Sequence, residues 1–250
     1  MAAYDFASTR LFVEAPLAEG AGVTLEDAQA NYVRNVMRMA AGDGLLLFNG
    51  RDGEWGARIS EVAKKRVTLV AERRTRPQTP PGRLRYLFAP LKHARLDYMV
   101  QKAVEMGASR LSPVITRRTQ ASRVNLERMR ANAVEAAEQC GVLALPEIDE
   151  PEPLARLLDG WLADAALAFC DEDSGAQDPV AALRPLAGRP IAVLIGPEGG
   201  FDPEERAALL RLPSVVRLSL GPRILRADTA AVAALALVQA TAGDWLDGGG

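Results

Sequence analysis

A single histidine, His93, occurs in 250 residues. A zinc site built on imidazoles, or a dispersed serine-histidine-aspartate triad, has little to stand on. The two cysteines, Cys140 and Cys170, lie far apart without metal-ligand spacing. They read as buried reduced thiols, which fits a reducing cytoplasm, and no metal is expected. The chain lacks a phosphate loop ending in Gly-Lys-Ser/Thr, a Gly-x-Gly-x-x-Gly opening a helix, and a Gly-x-Ser-x-Gly elbow. Its longest apolar run, Ala230 to Val238, is too short and too rich in alanine to span a bilayer. The first residues, Met-Ala-Ala-Tyr-Asp-Phe, have neither the basic start nor the apolar core of a secretory signal. A cytoplasmic protein without membrane contact is expected.

What is present is a globular composition, with 48% hydrophobic and 25% charged residues. A net charge of −2 hides a strong asymmetry. Residues 83–130 hold 11 Lys/Arg against Asp97, Glu105 and Glu127, whereas residues 131–250 hold eight Arg against 19 acids. A basic block inside a folded segment is the footprint of a polyanion site; a basic face pairing with the acidic C-terminal part is the plainer alternative.

Short strand signals fill the first part: Arg10 to Val13, Gly44 to Phe48, Trp55 to Val62 and Val67 to Ala71, with Asn-Gly and Asp-Gly turns. This spacing predicts a small barrel or sandwich. One helix is predicted over Ala28 to Met39, with Tyr32, Val36 and Met39 on a stripe and Arg34 and Arg38 on another. Arg76-Pro-Gln-Thr-Pro-Pro-Gly82 is too stiff for a helix or central strand, so domains over 1–76 and 83–250 are expected. Beyond it strands and helices alternate. Strands are predicted over Leu84–Ala89, Leu111–Ile115, Ala165–Cys170, Ile191–Ile195 and Val215–Leu220. Helices are predicted over Arg95–Met106, Leu126–Cys140 (capped by Asn125), Pro203–Leu210 and Ala230–Ala240. Such alternation means an α/β domain with a mostly parallel sheet. The Gly248-Gly249-Gly250 tail is expected to be disordered.

Two strand-loop-helix junctions carry the chemistry. In Ile195-Gly196-Pro197-Glu198-Gly199-Gly200, the paired glycines allow a sharp turn and close approach of a ligand to the backbone. Asp202, Pro203, Glu204 and Glu205 then cap and charge a helix start. Acids at that end disfavour phosphate and leave a neutral or cationic ligand. In Leu220-Gly221-Pro222-Arg223-Ile224-Leu225-Arg226, the apolar Ile224 and Leu225 are wasted unless they cover something such as an adenine ring. Asp228 or Thr229 is expected to cap the next helix, and Arg226 and Asp228 place a cation and a carboxylate at the same mouth.

At these residues the chain resembles the RsmE-like family of 16S ribosomal RNA uridine-N3 methyltransferases, members of the knotted SPOUT superfamily. The segments that carry the resemblance are Leu194–Gly200, Leu220–Ala230, Gln101–Gly107 and Glu138–Gly141. Arg10-Leu-Phe12 and Val36–Met39 extend it forward. The resemblance implies an N-terminal PUA-like β-barrel that helps hold RNA and a C-terminal domain with a trefoil knot. It also implies S-adenosylmethionine as donor, a homodimer, and 16S ribosomal RNA or the small ribosomal subunit as partner. The implied donor site comprises Leu194, Ile195, Gly196, Pro197, Gly199 and Gly200 in the first junction. In the second it takes Leu218, Leu220, Gly221, Ile224 and Leu225. Arg226 is the implied catalyst, its guanidinium steadying charge on a uracil carbonyl as N3 loses its proton. Asp228 takes that proton or orients Arg226, and Glu198 is a second candidate for either role. Arg10, Arg34, Arg38, Lys92, Lys102 and Arg118 are the expected RNA contacts. The family pattern has Glu at Asp228, Arg at Val142, His at Asn31 and Glu-Arg-Ser at Arg117–Thr119. A methyltransferase with another RNA target, or a non-catalytic RNA-binding assembly factor, are the alternative functions.

Overall fold

The computed structural model describes residues 8–92, 94–120, 123–162, 164–171, 175 and 178–246. His93 and the glycine tail lie outside them. The chain divides into two compact units, Met1–Pro80 with Ala137–Ala144, and Pro81–Ala136 with Leu145–Gly249. The break falls inside the proline-rich stretch, whereas the return of Ala137–Ala144 to the first unit has no local signal in the sequence.

Unit 1 is built on strands β1 (Arg10–Phe12), β2 (Gly22–Glu26), β3 (Gly44–Phe48), β4 (Glu54–Val62) and β5 (Arg66–Arg76). They form one sheet in the order β1-β3-β4-β5-β2, antiparallel except for β1 beside β3. Leu11, Leu25, Leu47, Ile59 and Leu69, one from each strand, meet in a single core, so the sheet curls on itself. The predicted helix over 28–39 is instead a short α1 (Asp27–Asn31) followed by a π-turn over Tyr32–Val36. The Met37 N–H donates to the Tyr32 carbonyl at 2.9 Å, five residues back. That wider turn shifts the phase: Val33 becomes fully buried and Val36 is 61% exposed, whereas Tyr32 and Met39 of the expected stripe still pack against the core.

Beneath this sheet Glu54 is almost completely buried. Its carboxylate accepts from Arg10 Nε at 2.6 Å, Arg76 Nη2 at 2.6 Å and Thr75 Oγ1 at 2.8 Å. The same arginines reach Ala137–Ala144: Arg10 Nη1 donates to the Glu138 carbonyl at 3.3 Å, and Arg76 Nη2 to that of Gly141 at 3.0 Å.

Unit 2 holds β6 (Leu84–Phe88), α2 (Ala94–Glu105), β7 (Ala108–Ile115), α3 (Leu126–Cys140, its last turn in unit 1), β8 (Glu147–Ile148), β9 (Glu152–Pro153) and α4 (Leu154–Asp159). They are followed by β10 (Ala166–Cys170), α5 (Pro179–Leu183), β11 (Ile191–Ile195), α6 (Pro203–Leu210), β12 (Val215–Leu218) and α7 (Ala227–Thr241). The sheet runs β12-β10-β11-β6-β7-β8, with β9 also on β7, and every pairing is parallel. Its inner strands are near-continuous apolar runs because helices cover both faces. Asn125 caps α3 as expected, accepting from Arg128 N at 3.0 Å. Gly107, at φ 80°, ends α2; a Cβ there would come within 2.6 Å of the Gln239 amide from α7. Parallel strands place the ends of β6, β10, β11 and β12 on one edge, where α/β sheets take ligands.

Candidate active site

The first junction is held tightly. Gly200, at φ 69°, closes a turn by donating to the Pro197 carbonyl at 2.9 Å. A Cβ on Gly196 would overlap the Phe201 ring, which packs edge-on against Phe169 at 5.2 Å. Gly196 therefore serves packing, and the φ demand sits at Gly200. Asp202 and Glu205 complete a capping box on α6. The acids around the turn are each met by arginine: Arg95 pairs with Glu198, and Arg117 pairs with Asp202 at 2.8 Å and Glu204 at 2.6 Å. The Arg117 N–H also donates to Glu205 at 2.8 Å, and Arg118 Nη1 to the Gly199 carbonyl at 2.7 Å. Leu194, Ile195 and Leu218 are buried in the sheet, so only their backbone can face a ligand.

The second junction is bare. Gly221 takes φ 99°, Ile224 is 97% exposed, and among the described residues no hydrogen bond reaches Leu220–Leu225. Helix α7 starts at Ala227 with Arg226 as its N-cap, three residues before the predicted start. Asp228 accepts from Thr229 N at 2.8 Å, and the Arg226 guanidinium has no partner among the described residues. The expected Arg226–Asp228 pair is therefore not formed.

A further charged group at this edge was not anticipated. Asp171, directly after β10, is buried and held by Arg206 at 2.9 Å and Arg217 at 2.9 Å. An acid at the end of an apolar strand was the available signal. The neighbouring Cys170 thiol is pushed up to about 12 by burial, which keeps it a neutral thiol.

The expected RNA contacts separate. Arg10 is 6% exposed and committed to Glu54, which removes it from any phosphate. Arg34 donates to the Lys64 carbonyl at 2.5 Å, and Lys102 to Glu105 at 2.7 Å. Arg38, at φ 56° in unit 1, and Lys92, in unit 2, are exposed, and their side chains have no partners among the described residues. Much of the basic block is spent internally: Arg85 and Arg110 hold Asp149, Arg128 holds Asp97, and Arg95 and Arg117 hold the first junction. The plainer reading of the charge asymmetry accounts for these residues except Arg128, whose partner Asp97 lies inside the basic block.

Against known proteins, residues 78–239 match the model of an RNA methyltransferase domain and residues 25–72 that of an RNA methyltransferase PUA domain. A relative from Rickettsia conorii, named ribosomal RNA small subunit methyltransferase E, is 30% identical over 234 residues, covering 92% of this chain and 94% of its own. The chain belongs to this family. Ribosomal RNA small subunit methyltransferase E from Neisseria gonorrhoeae, solved bound to S-adenosyl methionine, matches with a TM-score of 0.85 at 25% identity. That match covers 95% of this chain and 99% of the other. A Legionella pneumophila protein, solved in complex with bound SAM, matches with a TM-score of 0.82 at 30% identity, covering 95% and 99%. The α/β class with a preceding PUA-type domain, and membership of an RNA methyltransferase family, stand as read from the sequence.

Proposed function

We propose that this protein transfers a methyl group from S-adenosylmethionine to N3 of a uridine in 16S ribosomal RNA of the small ribosomal subunit. The observation that supports it most is the family membership combined with the unspent second junction. The residues fit this donor. Ile224 and Leu225 offer an apolar cover for adenine, unpaired backbone groups of Leu220–Leu225 suit an amino acid tail, and the carboxylate of Asp228 tolerates a sulfonium. Gly196, Pro197, Gly199 and Gly200 supply the opposite wall. When bound, the donor supplies an electrophilic methyl group.

The Arg226 guanidinium, without a partner among the described residues, is available to steady the uracil oxygen that gains charge as N3 loses its proton. Asp228 or Glu198 takes that proton at a carboxylate oxygen. Mass mapping of small-subunit RNA from a strain lacking the gene tests this: 3-methyluridine should disappear, and its persistence refutes the activity.

The partner beyond RNA is a second copy of the chain. Helix α7 is apolar on all sides, yet Val232, Ala233, Ala236 and Leu237 are only partly covered, as a symmetric interface requires. Sedimentation at micromolar concentration should return a dimer, and a monomer counts against it. A trefoil knot is consistent with the strand order. The chain passes from β11 over β10 to β12, and α7 then returns to pack on β11 and α2. Force-extension unfolding should recover a contour length short of the full chain. No described helix is long and apolar enough to cross a membrane. The proposed ribosomal RNA substrate supports a cytoplasmic location.

A further inference from the structure

One buried charge in unit 2 has no part in the chemistry assigned so far. Asp171 is the first residue past β10, and its side chain is 3% exposed. Arg206 of α6 grips it with two donors, Nε to Oδ1 at 3.1 Å and Nη2 to Oδ2 at 2.9 Å. Arg217 of β12 donates from Nε to Oδ2 at 2.9 Å.

The sheet register places this cluster. Phe169 pairs with Leu194 of β11, and Cys170 with Leu218 of β12. Continued along the chain, the same register sets Asp171 level with Gly196 on one side and Ser219 on the other. Each is one strand spacing away, about 4.8 Å. Gly196 opens the first junction, and Ser219 leads into the second. Alternate residues of a strand share a face, so Asp171 lies beyond Phe169, whose ladder partner on β12 is Arg217. Phe169, Leu194 and Leu209 of α6 form one core on that face, with Phe201 packed against it. Arg206 is one helical turn before Leu209 and meets the same face. The carboxylate therefore caps an apolar cluster where α6, β10 and β12 converge.

Such an arrangement adds little to stability. A carboxylate held out of water between two guanidiniums is costly to desolvate, and apolar side chains of similar volume often serve folding as well or better. What the charges add is direction, since planar guanidinium forks fix the angle and separation of the elements that carry them. Direction matters most for β12. It is a four-residue edge strand paired with β10 alone among the described strands. Beyond it no hydrogen bond from the described residues reaches Leu220–Leu225. We infer that Asp171 is a positioning residue for the donor: by holding Arg206 and Arg217 together, it fixes the separation of the two junctions that bracket S-adenosylmethionine. It acts through the backbone of both junctions. The assignment rests on the reading that these junctions hold the donor.

The test uses the full-length protein and two variants. Asp171→Asn keeps the shape and removes the charge that both arginines grip, while Arg217→Lys keeps the charge and gives up the fork. Calorimetry well below each melting temperature should find S-adenosylmethionine bound about tenfold more weakly by Asp171→Asn and about threefold by Arg217→Lys. Turnover at saturating donor should stay within about twofold of wild type, so the loss appears in KM and not in kcat. Replacing Asp171, Arg206 and Arg217 together by leucine should bring the melting temperature back toward wild type without restoring donor affinity. A residue serving folding alone would move the melting temperature and leave the dissociation constant of the folded protein unchanged. Donor affinity within about twofold of wild type in both variants, a loss confined to kcat, or full affinity in the leucine variant overturns the assignment. Hydrogen exchange on the wild type separates it from the reading beneath it. If the donor protects residues 196–200 and 220–225 while the variants bind it normally, the junctions hold the donor and Asp171 does not position them. If the protection falls elsewhere, the junctions are not the donor site and the assignment fails with them.

Discussion

The two junctions at the sheet edge differ in how they are held. Gly196–Gly200 is locked by a turn hydrogen bond, the Phe201 ring, a capping box and three arginines. Leu220–Leu225 has no hydrogen bond from the described residues and leaves Ile224 in solvent. The first junction is therefore fixed by side chains spent on structure, whereas the second keeps its groups unpaired among the described residues.

The comparison predicts a split between activity and stability. The largest effect belongs to the bare side: Arg226→Ala should lower methylation by roughly 10²–10³-fold with an unchanged melting temperature, read by single-turnover assay. Full activity in that variant would erase the functional half of the contrast. On the locked side, Gly196→Ala drives a methyl group into Phe201 and should cost about 1–3 kcal/mol of stability in urea unfolding. Gly221→Ala meets open space and only a backbone penalty at φ 99°, so about 1–2 kcal/mol is expected. A cost for Gly221→Ala above about 2 kcal/mol and larger than that of Gly196→Ala would show that the second junction is packed after all. The smallest stability effect is expected for Ile224→Ser, within about 0.5 kcal/mol of wild type. Calorimetry should nevertheless record weaker S-adenosylmethionine binding in that variant.

Most strands and long helices were legible because their apolar periods are unbroken: Gly44–Phe48, Leu126–Cys140, Ile191–Ile195 and Pro203–Leu210 match to the residue. The β5 strand runs beyond Ala71 to Arg76 because its outer arginines pair across bulges with β4, which periodicity cannot register. The π-turn at Tyr32–Val36 defeated a 3.6-residue stripe for the same reason. Both junctions could be located from glycine and proline alone, but the partners of their charges could not. Arg10 looked like any basic residue near an RNA site until Glu54, 44 positions away, was seen to claim it. Long-range ion pairing leaves no mark in a local window. The charge asymmetry was legible as a total and misleading as a map.

The Glu54 cluster has a consequence for behaviour in acid. Burial pushes this carboxyl up, but hydrogen bonds from Arg76, Arg10 and Thr75 outweigh it and hold it below the ordinary glutamate value. A folded value below the unfolded one means that the stabilisation is whole above the usual glutamate range. It drains away as the solution is acidified, from roughly pH 4 downward. Protonation loosens both guanidinium grips, and with them the bonds to the carbonyls of Glu138 and Gly141. Hydrogen exchange during acidification should therefore show Ala137–Ala144 released ahead of the curled sheet. In Glu54→Gln that segment should exchange faster than in the wild type at neutral pH, and the acid step should shrink. A chain segment borrowed from far along the sequence would thus hang on two carboxylates, Glu54 through its arginines and Glu138 through the Phe12 N–H at 2.8 Å, and a proton on the first undoes one of its two fastenings.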